Sequence, residues 1–344
     1  MPRHGRLDAP GAWHHVMNRG VARRTLFESN HDIRTFLCFL ARAVRAGRIE
    51  VHAYCVLSTH FHMLLRSPNG DLSGALQEVQ NRYARWFNRG RQRDGPLMRG
   101  RFLSKRVGTL SYRCHLVRYI DFNAVDARLV STPALYPHGS ARWYARRSGP
   151  PWLTRSWIES VVRRQSPHAE FGPASYSSTF GEPLSPGLRR LVERRTTFPE
   201  NAVDPLDELI HAAPPGVLDW MRRKAALADG TKVGYPVSDP EELDGFVALA
   251  ASARGDWHIK QSRKSLSAWP IVRVGLLRDL CASTLEDAAS RTGMSCNAAW
   301  RAHRRHRDLL TNDPEYSRLV AELATSVLRR CHGSMAHVVA HSAS

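Results

Sequence analysis

Short apolar runs alternate with amphipathic segments along the first 130 residues of the chain. Their composition predicts strands at 13–20, 49–58 and 60–67, followed by a basic strand within 95–108. Apolar residues at helical spacing predict helices at 29–47, at 71–90 and, beginning with a capping Thr109, at 109–130. The order strand, helix, strand, strand, helix, strand, helix is a split βαβ pattern. We therefore expect an α+β fold with a ferredoxin-like antiparallel sheet.

The pattern changes after residue 165. Residues 166–186 contain eleven Ser, Gly or Pro among 21, which favours a linker or long loop, and the chain beyond them reads as mostly helical. We expect three segments. They are a first domain at 1–150, a linker and helical connector at 151–260, and a DNA-binding domain at 261–335.

Capping and turn residues in the last segment predict a helix-turn-helix. Thr284 precedes "LEDAASR", Gly293 permits a turn, and Ser295 precedes "CNAAWRAHRRH". The N-terminal residues of the second helix in such a motif reach base edges. The candidate DNA contacts are Asn297, Arg301, Arg304 and Arg305. The alternative is an ordinary three-helix bundle that only packs.

Charge indicates the kind of partner. The chain carries 50 Lys and Arg against 31 Asp and Glu, a net charge of +19. Residues 1–150 alone hold 25 cations against 9 anions, a net of +16, and the remainder a net of +3. This balance predicts a polyanionic partner, most simply nucleic acid.

Other features of the composition bear on the compartment. The six cysteines are scattered and include no CxxC pair, as expected for reduced thiols in a cytosolic protein. No apolar run approaches the ~18 residues that span a membrane, and "MPRHGRLDAP" lacks the apolar core of a signal peptide. We expect a cytoplasmic, nucleoid-associated protein without a membrane partner.

The candidate chemistry begins with "HAYCVLSTHFHMLL", residues 52–65. Side chains alternate along a strand, so His60 and His62 share one face and Phe61 points into the other. Two adjacent imidazoles make half of a metal site. The alternative is that both are half-exposed polar residues on an amphipathic strand.

A second pair lies on the helix predicted at 109–130. Tyr119 and Asn123 are four residues apart and so lie on one helical face. The Asn carbonyl oxygen suits Mg²⁺ or Mn²⁺ beside two imidazoles. The Tyr phenol can attack phosphorus once it loses its proton, and a covalent phosphotyrosine would store the energy of the cleaved bond. A bound metal would polarise the phosphate.

These motifs resemble the single-tyrosine HUH transposases, and most of all the REP-associated tyrosine transposases. The resemblance covers residues 10–150 and includes "HHVMNRG", "HAYCVLSTHFHMLL", "NRYARWFN", "GRF" and "RYIDFNAVDARLV". Ala124 and Asp126 depart from it, since the family has a proline and a basic residue there, and Asp126 can weaken a phosphate contact.

The resemblance implies an HUH endonuclease fold in which His60, His62 and Asn123 bind a divalent metal, Mg²⁺ or Mn²⁺, and Tyr119 is the nucleophile. Such enzymes cleave and rejoin single-stranded DNA, usually at hairpin-flanked sites, through a 5′-phosphotyrosine and a free 3′-OH. The stretch 265–323 is similar to the DNA-binding domain of DnaA-type replication initiators, which implies that this part binds duplex DNA, and we hypothesise that it holds the double-stranded flank or hairpin stem. The sequence leaves the oligomeric state open between monomer and dimer.

Several neighbouring residues receive other interpretations. Tyr112 shares the helix face of Tyr119 but lacks an Asn four residues on, so we expect it to pack. His15 is expected to pack or to form a hydrogen bond, and His115 is a weak candidate proton acceptor. Asp121 points ~200° around the helix from Tyr119 and is expected to be solvated or salt-bridged.

A basic stretch in the first domain is expected to contact the DNA backbone, because phosphate neutralisation supplies most nonspecific affinity. Its candidate residues are Arg82, Arg85, Arg89 and Arg101.

Two other functional classes fit the same sequence. A catalytically inactive, sequence-specific DNA-binding regulator on the same folds would not cleave DNA. A metal-binding hydrolase that uses water as the nucleophile would keep cleaving after Tyr119→Phe.

Overall fold

The structure is a computed structural model that forms two compact units, divided between Leu184 and Ser185. The described residues are 8–108, 110–146, 148–165, 170–195, 209, 212–227, 236–261 and 264–332. The first unit includes residues 151–165 and 170–184, which the sequence analysis assigned to a connector. Thr109 and residues 262, 263 and 333–335 lie outside the described residues.

A four-stranded antiparallel sheet forms the centre of the first unit. Its strands are β1 (Ala12–Arg19), β2 (Glu50–Val56), β3 (His60–Ser67) and β4 (Leu103–Arg106), in the order β2-β3-β1-β4. All three neighbouring pairs are antiparallel. This confirms the expected α+β class and antiparallel sheet, with β1 and β3 as the central strands.

Helices α1 (Asn30–Arg45) and α2 (Leu72–Gly90) cover one face of the sheet. Ser29 caps α1 in a capping box with Asp32, so two backbone donors at the start of the helix are satisfied. The Phe61 ring of β3 lies 5.0 Å from the Phe36 ring of α1, between ring centroids. Because side chains alternate along β3, His60 and His62 point to the other face.

Helix α3 (Leu110–Asp126) packs against β2 and β3. It ends four residues before the predicted residue 130, because Arg128 adopts a positive φ of 57° that stops the helix. In the described part of the first unit, three shorter α-helices follow, α4 (Ala141–Tyr144), α5 (Ser156–Gln165) and α6 (Pro173–Phe180).

The prediction of a linker or long loop at 166–186 is wrong for residues 173–180. Pro173 stands in the first turn of α6, where its missing N–H costs nothing. Tyr176 and Phe180 are buried, and the Tyr176 ring stacks on Tyr144 with 5.2 Å between centroids. A stretch rich in Ser, Gly and Pro therefore contains a short helix, PASYSSTF, that belongs to the core.

The prediction that Asp121 is solvated or salt-bridged is also wrong. Its carboxylate is buried and accepts hydrogen bonds from the hydroxyls of Tyr176, at 2.5 Å, and Ser140, at 3.5 Å. Burial raises the pKa of Asp121 to about 7, because its desolvation outweighs these two hydrogen bonds.

The second unit is largely helical in its described part. Its helices are α7 (Pro186–Arg195), α8 (Pro214–Leu227), α9 (Pro240–Arg254), α10 (Trp269–Asp279), α11 (Leu285–Thr292), α12 (Cys296–Asn312) and α13 (Pro314–His332). A hairpin of β5 (His258–Gln261) and β6 (Lys264–Ser267) precedes α10. None of the described helices in either unit is both long and apolar enough to cross a membrane.

The predicted boundaries of α11 and α12 are present in the structure. The Thr284 hydroxyl accepts from the Asp287 N–H at the start of α11. Gly293 ends α11 in the left-handed conformation, with φ 67°. The Ser295 hydroxyl accepts from the Ala298 N–H and caps α12. The assignment of this pair as a helix-turn-helix that binds DNA stays a prediction.

We expect Asp121→Asn to stabilise the first unit more at pH 8 than at pH 5. A carboxyl whose pKa rises to about 7 on folding contributes stability at low pH that is lost as the pH rises through 7. From pH 5 to pH 8 this loss amounts to about 2–3 kcal/mol, and Asn, which keeps the Tyr176 contact, does not incur it. Urea unfolding of the full chain, followed by hydrogen-exchange mass spectrometry of β2 and β3 peptides, measures it. Equal effects of the substitution at both pH values would contradict this assignment.

Candidate active site and nucleic-acid surfaces

The histidine pair and the tyrosine meet on one face of the sheet. His60 and His62 lie at the start of β3, with 5.2 Å between their ring centroids and the rings almost perpendicular. Helix α3 places the Tyr119 ring edge-on to His62, at 5.4 Å between centroids. The structure therefore brings together the three residues that the sequence pointed to as candidate chemistry.

A third histidine joins this group. His15 on β1 is fully buried, and its Nε2 lies 3.0 Å from Nδ1 of His62. Its ring is also edge-on to Tyr119, at 5.9 Å between centroids. The expectation that His15 forms a hydrogen bond is confirmed, and its partner is one of the two candidate ligands.

Burial keeps these imidazoles neutral. Burial lowers the pKa of His15 to about 3. It also lowers the pKa of His62 well below the usual value, and the neighbouring His15 and His60 lower that pKa further. Burial, with the nearby cation Arg19, also lowers the pKa of His60. Neutral imidazole is the form that binds a metal.

The hydrogen bonds of His60 and His62 leave one nitrogen of each ring available to bind a divalent metal. The contact with His15 uses Nδ1 of His62, and the Thr59 hydroxyl lies 3.0 Å from Nδ1 of His60, so Nε2 is the available ligand atom in each ring. A neighbour that fixes the tautomer of a ligating histidine is a common feature of metal sites. Among the described residues, no group of three or more His, Cys, Asp or Glu could hold a metal. A third ligand from the described residues would therefore be a neutral oxygen.

Asn123 supplies one such oxygen on α3. It is half-buried, and its Nδ2 donates to the backbone oxygen of Tyr119 at 2.7 Å. This bond ties the amide to the helical turn that carries the tyrosine. Because the bond uses only the nitrogen, the side-chain oxygen of Asn123 remains a candidate ligand.

The arginines of α2 that are expected to contact DNA lie away from the histidine pair. Arg82, Arg85 and Arg89 are exposed on α2, which packs on the opposite face of the sheet from His60 and His62. Arg82 also forms an ion pair with Glu78, at 2.8 Å. The structure does not bring these three arginines together with the histidine pair.

Arg101 is exposed in the segment just before β4, and its contact with DNA also stays a prediction.

Helix α12 carries the four candidate contacts of the second unit. Asn297, Arg301 and Arg304 are exposed, and Arg305 is half-buried. They lie along the first half of the helix, so its surface remains a candidate for DNA contact.

Two cations on the site face were missed by reasoning from the sequence. Arg19 pairs with His60 across β1 and β3, and Lys105 pairs with His15 across β1 and β4. Cross-strand partners share a face, so both belong to the face of the histidines, and Lys105 is buried there. The alternation of side chains along β1 and β4 shows which residues of each strand share a face. It identifies Arg19 and Lys105 as neighbours of the histidines only when the strand order is known.

We expect the side chain at position 15 to determine the tautomer of His62. Phe at this position fills a similar space but cannot accept from Nδ1–H of His62, whereas Gln can. In ¹⁵N NMR spectra of the full chain, wild-type protein should show the single Nδ1–H form of His62, His15→Phe should give mixed tautomers, and His15→Gln, whose amide can accept or donate, should fall between them. An unchanged His62 tautomer in His15→Phe would show that the contact does not fix the ring.

Part of this chain is similar to a known protein family. Residues 10–121 match the family model described as "Transposase IS200 like". Comparison with curated proteins gave no match. One solved structure, described as the REP-associated tyrosine transposase bound to a REP hairpin, is 19% identical with a TM-score of 0.36, over 45% of this chain and 90% of that chain. The segment of this chain that is similar to IS200-like transposases contains His15, His60, His62 and Tyr119, and it ends two residues before Asn123.

Proposed function

We propose that the first unit is a transposase-type DNA strand transferase that cleaves and rejoins single-stranded DNA, with Tyr119 as the nucleophile. The observation that carries the proposal is the edge-on packing of the Tyr119 ring against both His62 and His15. A phenol beside the candidate ligand His62, whose ring neighbours the second candidate ligand His60, is the arrangement that metal-assisted attack on phosphorus needs. The family match over residues 10–121 supports the same reaction class.

The reaction follows from the chemistry of the phenol. The Tyr119 oxygen forms a bond to phosphorus, the bond from phosphorus to the 3′-oxygen breaks, and that oxygen takes up a proton. The strand is then held as a 5′-phosphotyrosine. Attack by a 3′-OH on this bond restores a phosphodiester and returns the phenol, so no external energy source is required.

His60 and His62 would hold a divalent metal, Mg²⁺ or Mn²⁺, with the side-chain oxygen of Asn123 as a third ligand. When bound, the metal polarises the phosphate and offsets its charge. His15 keeps His62 in the tautomer that leaves Nε2 available, through the contact between His15 Nε2 and His62 Nδ1. Arg19, beside His60, adds a positive charge for the phosphate.

The substrate we propose is single-stranded or hairpin DNA with a duplex flank, on the basis of the sequence resemblance and the net charge of +16 within residues 1–150. Contacts by Arg82, Arg85 and Arg89 would bind DNA outside the catalytic face, since α2 covers the other side of the sheet. In the second unit, we propose that Asn297, Arg301, Arg304 and Arg305 bind the duplex flank.

We expect Tyr119→Phe to abolish the covalent DNA–protein adduct and Tyr112→Phe to retain it. The second variant is a matched control because Tyr112 lies on the same helix but is buried in the core. His60→Ala should lower cleavage at least tenfold, because it removes a proposed metal ligand. The measurement is a denaturing gel of labelled single-stranded hairpin DNA, carrying the native flanking sequence, with the full chain and Mn²⁺ or Mg²⁺.

The same gel separates the alternatives. Cleavage that survives Tyr119→Phe would favour a hydrolase that uses water. An absence of both cleavage and adduct with wild-type protein would favour the inactive DNA-binding regulator.

We expect Arg301→Ala to weaken binding of a duplex about tenfold and to lower the salt dependence of the affinity by about one phosphate contact. Fluorescence anisotropy with the full chain measures both quantities. Arg329→Ala, at an exposed position on α13, is the matched control. Equal duplex affinity of the Arg301 and Arg329 variants would contradict a role for α12 in duplex binding.

A further inference from the structure

The second unit contains a cavity of about 510 Å³ that the proposed strand-transfer reaction does not use. Its walls come from α8, α10, the start of α11, and one side of α12. A cavity of this volume lies within the range of about 300–1,000 Å³ that is typical of small-ligand sites. It is therefore large enough for one nucleotide.

The lining of the cavity is strongly basic. Four of its ten residues are arginines and one is an aspartate, Asp308. The arginines are Arg222, Arg278, Arg304 and Arg307. Burial lowers the pKa of the remaining titratable residue, His303, to about 4, so it is neutral at pH 7 and still able to hydrogen-bond. The charge of the lining matches an anionic ligand.

Two of the guanidinium groups are held in place by backbone oxygens. Arg222 donates through Nε and Nη2 to the carbonyl of Leu310, at 3.0 and 2.6 Å. Arg278 donates through Nη1 to the carbonyl of Ser283 at 2.7 Å. A carbonyl oxygen orients a guanidinium without cancelling its charge. These contacts therefore fix cations at the wall before any ligand binds.

An exposed indole completes the wall. Trp300 is 49% exposed, one of the few large apolar side chains in the described residues that are so open to solvent. The guanidinium carbon of Arg304 lies 5.7 Å from the centre of its ring. Aromatic faces beside arginines are the elements with which proteins bind unpaired bases and their phosphates.

The cavity and the proposed duplex surface share Arg304 but otherwise lie on different parts of α12. Consecutive helical residues are ~100° apart, so Arg301 points well away from Trp300. Trp300, Arg307 and Thr311 fall on one side of the helix and line the cavity, whereas Arg301 and Arg305 lie ~100° or more around the helix from Trp300. The duplex proposal therefore gives no role to Trp300 and Arg307.

We propose that this cavity binds one nucleotide of single-stranded nucleic acid, with the base stacked on Trp300 and the phosphate held by Arg278 and Arg307. A base within a duplex presents no free face to an indole, so a paired strand does not satisfy the site. An acidic peptide would match the arginines but would leave the exposed indole without a role. The inference is independent of the cleavage chemistry of the first unit.

Photochemical cross-linking locates the bound base. The full chain in a Tyr119→Phe background is irradiated with a thymidine oligonucleotide that contains 5-iodouracil, and cross-linked peptides are identified by mass spectrometry. We expect an adduct on the peptide that contains Trp300. Trp300→Ala should lower the adduct yield about tenfold, and Trp300→Phe, which keeps an aromatic face, should keep most of it.

Charge variants test the phosphate part of the site. Arg307→Ala should lower the adduct yield severalfold, and Arg329→Ala should leave it unchanged. Competition then identifies the source of the nucleotide. Displacement by unlabelled oligonucleotide at lower concentration than by deoxyadenosine monophosphate supports a nucleotide within a strand, and equal displacement would instead assign the cavity to a free nucleotide and contradict the strand.

Two results would overturn the inference. One is an adduct yield that does not differ between wild-type and Trp300→Ala protein. The other is equal competition by blunt duplex, which would make the cavity a duplex contact. Neither result bears on cleavage by the first unit, and failure of Tyr119-dependent cleavage would leave the cavity proposal intact.

Discussion

The pairing of β1 with β3 determines where the candidate chemistry lies. In this register Met17 is opposite His62 and Arg19 is opposite His60, so the alternate residues His15, Met17 and Arg19 share the histidine face. A slip of one residue would turn that set of side chains to the other face. This register is required for the hydrogen bond between His15 and His62 and for the position of Arg19. It is also required for the contacts of the His15 and His62 rings with Tyr119.

The helix that carries Tyr119 is held from its other side by the chain beyond residue 130. Asp121, two residues after the tyrosine, accepts from Tyr176 on α6 and from Ser140. Burying a charged carboxylate costs free energy of folding, and the elevated pKa of Asp121 reflects that cost. The same contacts anchor α6 to α3. The stability of the first unit and the placement of Tyr119 are therefore linked through the buried contacts of Asp121.

Local signals were enough to predict much of the fold and of the candidate site. Strand β3 and the cap at Ser29 follow from alternation and capping chemistry, which depend on neighbours in sequence. Positions 60, 62 and 119 could be selected for the same reason. The burial of Asp121 could not be predicted, because it depends on Tyr176, 55 residues away, in a segment whose composition favours a loop. The partnership of His15 with His62 needs the strand order, which alternation alone does not give.

Reasoning from sequence was weakest for surfaces. The arginines of α2 are expected to contact the DNA backbone, but the sequence alone does not show that α2 packs on the face of the sheet opposite the histidines. The cavity of the second unit was missed for a related reason. Its arginines come from three helices, and Arg222 is 85 positions from Arg307, so no local sequence motif indicates the cavity.

The most direct test of the central claim is mass-spectrometric identification of the amino acid that carries DNA after reaction with a cleavable hairpin strand. We predict a nucleotide joined through its 5′-phosphate to the phenol of Tyr119. A DNA adduct on another residue, or cleaved strands that carry a free 5′-phosphate with no adduct at any stage of the reaction, would contradict it.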